Sequence, residues 1–184
     1  WAGGKRQLIE QFKTFFPNKT ERYFEPFVGG GAVAFYIIQK NNLKEIYLSD
    51  INEELINCYE IIKDNVEDLI SQLRFHRESH NKEYYYALRE LSPELLTKIE
   101  RASRFIYLNK TCFNGLYRVN SSGKFNVPIG SYKNPSIFQE GDLRELSKIL
   151  KKTKILKMHF EKVLDYAKKG DFIYFDPPYY PLTK

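Results

Sequence analysis

The sequence predicts an α/β protein, a doubly wound parallel sheet interrupted by a mostly helical insertion that carries a β-hairpin. Three observations carry this reading. Strand-then-helix patterns alternate at the start of the chain and resume at its end. The stretch between them begins with long helical spacing and ends without it. A glycine run, Gly29-Gly30-Gly31, stands between a strand and a helix, where a sheet of this kind binds ligands.

Taken in order, residues 3–16 read as a short amphipathic helix with Leu8, Ile9, Phe12, Phe15 and Phe16 on one side, ended by Pro17 and Asn18. Residues 23–25 read as a strand, and Ala32–Lys40 as a helix beyond the glycines. Residues 46–49 form a second strand that ends at Asp50, and Asn52 can cap the next helix. Leu55, Tyr59, Ile62, Val66, Leu69 and Leu73 then recur at alternating steps of four and three, with Asn65 as the natural break between two helices. Further helices are expected over 82–91 and 93–109. From Cys112 to Pro135 the helical period vanishes, and Gly115, Ser121-Ser122-Gly123 and Gly130 punctuate short extended runs, as in a hairpin and its return loop. A helix over 143–151, a strand over 155–158, a helix over 162–168 and a strand over 172–175 complete the pattern. The sheet domain is thus expected from 1–56 and 145–184, with the insertion at 57–144.

Composition narrows the function classes. With 184 residues, 42% hydrophobic and 28% charged, the chain suits one globular domain with an inserted smaller one and not a disordered segment. No apolar run approaches the roughly 18 residues of a membrane span and no signal peptide is visible, so a cytoplasmic protein without membrane partners is expected. Cys58 and Cys112 lie far apart without metal spacing and read as reduced thiols. The net charge of +6 leans toward a polyanionic partner, although many cytosolic proteins are equally basic. The chain opens at Trp1 without an initiator Met and closes at Lys184 just past a strand, as a fragment would.

Two motifs carry chemistry. In Glu25-Pro26-Phe27-Val28-Gly29-Gly30-Gly31 the glycines let the backbone bend and approach a ligand, and Asp50 follows at the end of the next strand. A carboxylate there can accept hydrogen bonds from both hydroxyls of a ribose. The pair points to a nucleoside-containing cofactor. A dinucleotide oxidoreductase, or a tight turn beside a helix-capping Asp, fits the same residues. The second motif, Asp176-Pro177-Pro178-Tyr179, follows the last strand. Neither proline has a backbone donor, so the ladder stops there and their carbonyls can serve a ligand. A plain strand-end turn with Tyr179 in the core is the simpler alternative.

Together these residues resemble the Dam-like family of DNA adenine-N6 methyltransferases, the D12 class, nearly end to end. Trp1-Ala2-Gly3-Gly4-Lys5 is similar to the family's opening motif, residues 24–32 to its glycine-rich motif, Ser49-Asp50-Ile51-Asn52 to its ribose motif, and Asp176-Pro177-Pro178-Tyr179 to its catalytic tetrad. The resemblance implies a Rossmann-like sheet that uses S-adenosyl-L-methionine and is incomplete here at its C-terminal strands. It implies that Trp1, Lys5, Asp50 and Asp176 contact the cofactor, and that Glu25, Gly29, Gly31, Ile51 and Phe160 line its pocket. Asp176 and Pro177 would hold the adenine amine and Tyr179 would stack on a base turned out of the duplex. The insertion resembles the target-recognition domain, through residues 113–120 and Phe125-Asn126-Val127-Pro128. By that resemblance Phe113 inserts beside the flipped base and Asn114 fills the gap. Leu116 and Pro128 touch thymine in a GATC-like site and Arg118 reads a guanine, which its two-pronged donor geometry allows. Asn120 and Lys124 join the DNA-binding set, and Lys110 and Lys133 can neutralise phosphates.

One departure stands out: His159-Phe160 replaces the Asp-Phe found in many relatives. No metal is expected, because His76 and His80, four apart on a helix, lack acidic or cysteine partners. Cytosine-N4, RNA or glutamine methylation can use similar tetrads, but Phe113 and Arg118 favour duplex DNA. A DNA-binding protein without catalysis is the alternative from another class. A cognate restriction enzyme is a partner such a methyltransferase can have, and a monomer or weak dimer is expected.

Overall fold

The computed structural model describes residues 8–178. These divide into two compact units, one made of 8–52 and 152–178, the other of 53–151.

The first unit is a parallel sheet of four strands, β1 (Arg22–Glu25), β2 (Glu45–Asp50), β3 (Lys154–Lys157) and β4 (Phe172–Ile173), in the order β3-β2-β1-β4. The two central strands are buried along most of their length, as strands covered on both faces must be. Phe24 stacks on Tyr47 at 4.5 Å, and Val163, Leu156, Met158 and Ile173 pack around the pair. Helix α2 (Ala32–Lys40) follows the glycine turn and buries Val33, Ala34 and Ile37. The Arg22 guanidinium fixes the segment before β4, 3.1 Å from an Asp171 carboxylate oxygen and donating to the Tyr166 carbonyl at 2.8 Å.

Helix α1 (Ile9–Phe12) is shorter than its sequence pattern suggests; the part of that pattern before residue 8 lies outside the described residues. The chain tightens into a 3-10 turn over Lys13–Phe15, because Pro17 forces Phe16 into an extended conformation (φ −77°, ψ 143°). Phe15 is consequently 82% exposed instead of sharing the packed side, where Phe16 meets Tyr36, Phe172 and Tyr174. The helix expected over 162–168 is a 3-10 segment, Phe160–Asp165, closed by tighter bonds such as the Tyr166 amide to the Val163 carbonyl at 3.1 Å. β4 ends after two residues, although the Tyr174 amide still donates to the Phe24 carbonyl at 2.9 Å.

The second unit is built on α6 (Lys98–Thr111), with α3 (Glu53–Asp64), α4 (Val66–Glu78) and α5 (Lys82–Glu90) packed on it and α7 (Glu140–Leu150) on α3. It reaches from Glu53 to Lys151, wider than 57–144, because α3 and α7 pack within it as whole helices. Asn65 separates α3 from α4 with a non-helical backbone (φ −135°, ψ 42°). The helix expected over 93–109 is instead a 3-10 turn, Pro93–Leu95, and then α6. Thr97 resets the start by exchanging hydrogen bonds with Glu100 in a capping box. The hairpin forms no continuous ladder. It is held by isolated antiparallel bridges, Val119 with Phe125 and Cys112 with Ile129. Among the described residues no helix is long and apolar enough to cross a membrane.

Candidate functional site

In the sheet unit the motif residues gather at the carboxyl ends of the strands. Chain order runs outward from β1 through β2 to β3, then reverses to place β4 on the other side of β1. That reversal opens a crevice beyond the strand ends where doubly wound sheets bind ligands. Glu25 closes β1, Asp50 closes β2, Phe160 follows β3, and Asp176 and Pro177 follow β4.

The turn between β1 and α2 depends on its glycines. Gly29 (φ 47°) and Gly31 (φ 70°) are left-handed, a conformation that costs a residue with a Cβ about 1–2 kcal/mol. Asp50 braces the turn, its two carboxylate oxygens accepting the Gly29 amide at 3.3 Å and the Asn52 amide at 3.0 Å. A carboxylate has roughly four acceptor positions, so both oxygens retain capacity for further donors. Beyond it Ile51 is 66% exposed and Phe160 is 37% exposed. Phe160 stacks on Phe27 at 5.3 Å, with Phe175 at 6.4 Å from Phe27, so the crevice has an aromatic wall. His159, the departure from the family pattern, turns to Glu161 at 3.3 Å and lies against Phe160.

Glu25 is buried, and Tyr23 donates its hydroxyl to it at 2.6 Å. Burial lifts its carboxyl to about 8; the Tyr23 bond and a backbone amide at Ala34 oppose this, and the Asp176 charge adds to it. Asp176 is half-buried and Pro177 exposed. Trp1, Lys5 and Tyr179 lie outside the described residues.

The second group of residues sits in the helical unit. A 3-10 turn, Phe113–Gly115, ends α6, with Asn114 left-handed (φ 54°, ψ 20°) and Phe113 51% exposed. Two buried side chains and one backbone bond hold this turn and the hairpin. Asn109 donates to the Gly115 carbonyl at 3.0 Å, the Pro128 carbonyl accepts the Phe113 amide at 2.9 Å, and Tyr85 donates its hydroxyl to the Val127 carbonyl at 2.9 Å. Gly130 lies so close to Cys112 that an added Cβ would come within 3.0 Å of its carbonyl oxygen. Beside the turn is a polar depression of about 520 Å³, lined by Asn109, Lys110, Asn114 and Tyr132 among others.

The Val119–Phe125 bridge sets residues 118 and 126, and 120 and 124, opposite each other. Side chains alternate on such a ribbon. Phe125 and Val127 are buried and Tyr117 packs on Phe105 of α6 and on Phe125, so the odd-numbered face is the packed one; Val119, 40% exposed, is its outer edge. Leu116, Arg118, Asn120, Lys124 and Pro128, all even-numbered, are exposed, and Asn126 is half-buried. Asn120 has a structural task as well: its side-chain oxygen accepts the Ser122 and Lys124 amides and closes the turn.

The remaining residues of interest have packing roles. His76 lies 2.5 Å from the Tyr84 hydroxyl and 3.1 Å from that of Ser103, and His80 lies 2.7 Å from that of Tyr107. Burial pulls His76 down to about 4. Among the described residues no group of three or more His, Cys, Asp or Glu is arranged to hold a metal. Cys58 and Cys112 are free and buried, and burial pushes the Cys58 thiol well above its ordinary range. Sequence reasoning gave no role to Tyr23, Tyr85 or Asn109, and named Phe27 and Asn126 only as members of their motifs. Tyr23 had a signal, since it stands two residues before Glu25 on a strand and so shares its face. Tyr85 and Asn109 act on carbonyls 42 and 6 residues away, which no local pattern reveals.

Fold and site therefore define a doubly wound α/β unit with an acidic, aromatic-walled crevice, together with a helical unit that presents an exposed two-stranded ribbon. The family model described as D12 class N6 adenine-specific DNA methyltransferase matches residues 1–184, and the chain belongs to that family. It is 47% identical to the type II methyltransferase M.MjaIII of Methanocaldococcus jannaschii and 44% identical to the type II methyltransferase M1.LlaDCHI of Lactococcus lactis. It is 40% identical to the DNA adenine methylase of Haemophilus influenzae. All of this chain is covered in each case, against 69%, 66% and 64% of the relatives, so the chain spans about two thirds of their length.

Proposed function

We propose that the protein of which this chain is part transfers a methyl group from S-adenosyl-L-methionine to N6 of adenine in duplex DNA, at GATC-type sites, with the adenine turned out of the stack. The division of labour would follow the two units, with 53–151 recognising DNA and the sheet unit holding the cofactor and the adenine. One observation carries the DNA reading: the hairpin residues given a DNA role by family resemblance share one exposed face, and the opposite face is packed against α6. A hairpin serving only the core would have no reason to keep Leu116 and Pro128 uncovered.

The crevice fits the cofactor chemically. Asp50 has acceptor capacity for two ribose hydroxyls, Ile51 and Phe160 offer apolar surface to a purine, and the glycine turn leaves room for a close approach. When bound, S-adenosyl-L-methionine supplies an electrophilic methyl on a sulfonium. The chain's own residues deal with the amine. Its lone pair is delocalised into the ring, and two acceptors, the Asp176 carboxylate and the Pro177 carbonyl, can each take one N–H. They favour a pyramidal nitrogen whose lone pair is free for in-line attack, and they stabilise the positive charge that develops there. The proton that the amine nitrogen gives up on methylation would pass to the Asp176 carboxylate or to water. Phe113, exposed on its turn, is the aromatic group for the space beside the vacated position.

The test is to incubate the whole protein with methyl-labelled cofactor and duplexes containing GATC or its single-base variants, and to identify the methylated base. N6-methyladenine in GATC duplexes is expected. DNA binding without transfer would reduce the protein to a binding module, and label on cytosine would overturn the adenine assignment. Calorimetry on Asp50→Ala checks the crevice separately. Cofactor affinity should weaken by roughly 1–3 kcal/mol, and an unchanged affinity would remove the ribose role.

A further inference from the structure

The exposed face of the hairpin contains one side chain with no assigned role, Asn126. It stands opposite Arg118, and its backbone amide donates to the Arg118 carbonyl at 3.1 Å. The two side chains also meet, the Arg118 Nε–H donating to Asn126 Oδ1 at 2.8 Å.

We propose that Asn126 is a positioning residue for base reading, holding the Arg118 guanidinium by its Nε so that its far edge is free to face a guanine. The inference rests on the proposal that Arg118 reads guanine. A guanidinium has five N–H donors. With Nε engaged, the four on the two terminal nitrogens remain, and the pair along the outer edge matches guanine O6 and N7. A long, exposed arginine otherwise samples many rotamers, and ordering it on DNA costs part of the contact's value. Asn126 is suited to the task because it is half-buried and its chain neighbours, Phe125 and Val127, are in the core. Asn126 is thus anchored on both sides and Arg118 is not. An asparagine oxygen accepts a hydrogen bond without neutralising the arginine charge, which leaves the attraction to DNA intact.

The experiment measures methylation of GATC and all its single-base variants by the whole protein at fixed salt. It compares wild type with Arg118→Ala, Asn126→Ala, Asn126→Asp and the Arg118→Ala/Asn126→Ala double variant. Arg118→Ala should relax discrimination at one base pair by roughly 5- to 150-fold. Asn126→Ala should relax it at the same base pair by about 2- to 10-fold, the share that ordering one flexible side chain represents. Asn126→Asp, which keeps an acceptor, should retain discrimination, and the double variant should be no worse than Arg118→Ala. Asn126→Leu, of matching shape, replaces Asn126→Ala if the latter melts earlier than wild type.

Outcomes separate the two claims. If Arg118→Ala relaxes one base pair and Asn126→Ala does not, or the two losses add in the double variant, the reading role stands and the positioning role is wrong. A uniform loss on all sequences with weakened salt dependence in Asn126→Ala would make it a phosphate contact and also overturn the inference. If Arg118→Ala relaxes no base pair, the reading itself fails and the inference falls with it.

Discussion

The crevice of the sheet unit and the ribbon of the helical unit are organised in opposite ways. In the crevice, strand ends and left-handed glycines deliver functional groups, and Asp50, at the end of the neighbouring strand, braces the glycine turn 21 residues before it. In the ribbon, the exposed residues have little regular structure beneath them, and their backbone is hooked by buried side chains of the helices, Tyr85 from 42 residues away and Asn109 from 6. The first arrangement rests on motif residues at strand ends, the second on packing side chains outside any motif. Damage should therefore show differently, as lost chemistry in the crevice and as lost order or specificity in the ribbon.

The largest expected effect is a pair of opposite pH slopes. Glu25 in the sheet unit is raised from 4.5 to about 8, chiefly by burial. Between those values the folded state holds a proton that the unfolded state releases, so stability falls as pH rises, by up to about 1.4 kcal/mol per pH unit. His76 in the helical unit is lowered from 6.5 to about 4 by burial. There the unfolded state takes up the proton first, and stability falls as pH drops through that window. Peptide-resolved hydrogen exchange from pH 4 to 8 reads the units separately. Glu25→Gln should flatten the first slope and leave the second alone; a common slope in both units would break the comparison.

Next in size is Asp176→Ala. Removing an aimed electrostatic partner at a reacting centre costs roughly 10²- to 10³-fold in rate. Single-turnover transfer by the whole protein should fall in the order wild type, Asp176→Asn, Asp176→Ala, with DNA affinity little changed. Wild-type turnover in the alanine variant would show that the loop after β4 is only a turn.

Smallest is Tyr85→Phe, which deletes one hydroxyl and leaves the buried Val127 carbonyl without that donor. It should destabilise the helical unit by roughly 1–3 kcal/mol in denaturant melts. Because the hook holds the ribbon, discrimination between DNA sequences should suffer more than cofactor binding. Reduced cofactor affinity with intact discrimination would mean that the hook does not serve recognition.

The same contrast explains what could be read from the sequence. The parallel sheet, α2 at Ala32–Lys40 and the break at Asn65 follow from periodicity and turn chemistry, so they are legible in a single chain. Glu25, Asp50 and Asp176 are legible as types at strand ends. The 3-10 turns at Lys13–Phe15, Pro93–Leu95 and Phe160–Asp165 are not, because an apolar pattern of three or four residues fits a tight turn as well as a helix. Nor could the sequence reveal that burial sets Glu25 apart from other glutamates, or that Asn126 meets Arg118. Both depend on which strand lies opposite.

The packing of α3 against α7 has a consequence for how the chain folds. β2 pairs with β3 only after roughly 100 intervening residues, and an open loop of that length is entropically expensive to close. Those residues form a unit whose first and last helices touch, with Ser147 bonded to the Lys63 carbonyl and Lys151 paired with Asp64. Once that unit is compact, the search that remains is that of a short loop. Each tenfold shortening of the effective loop saves about 2 kcal/mol of closure entropy. The helical unit is thus a folding staple for the sheet as well as a separate body. Pulse-labelled exchange should protect α3, α6 and α7 before β2 and β3, and a sheet protected first would show that it closes unaided.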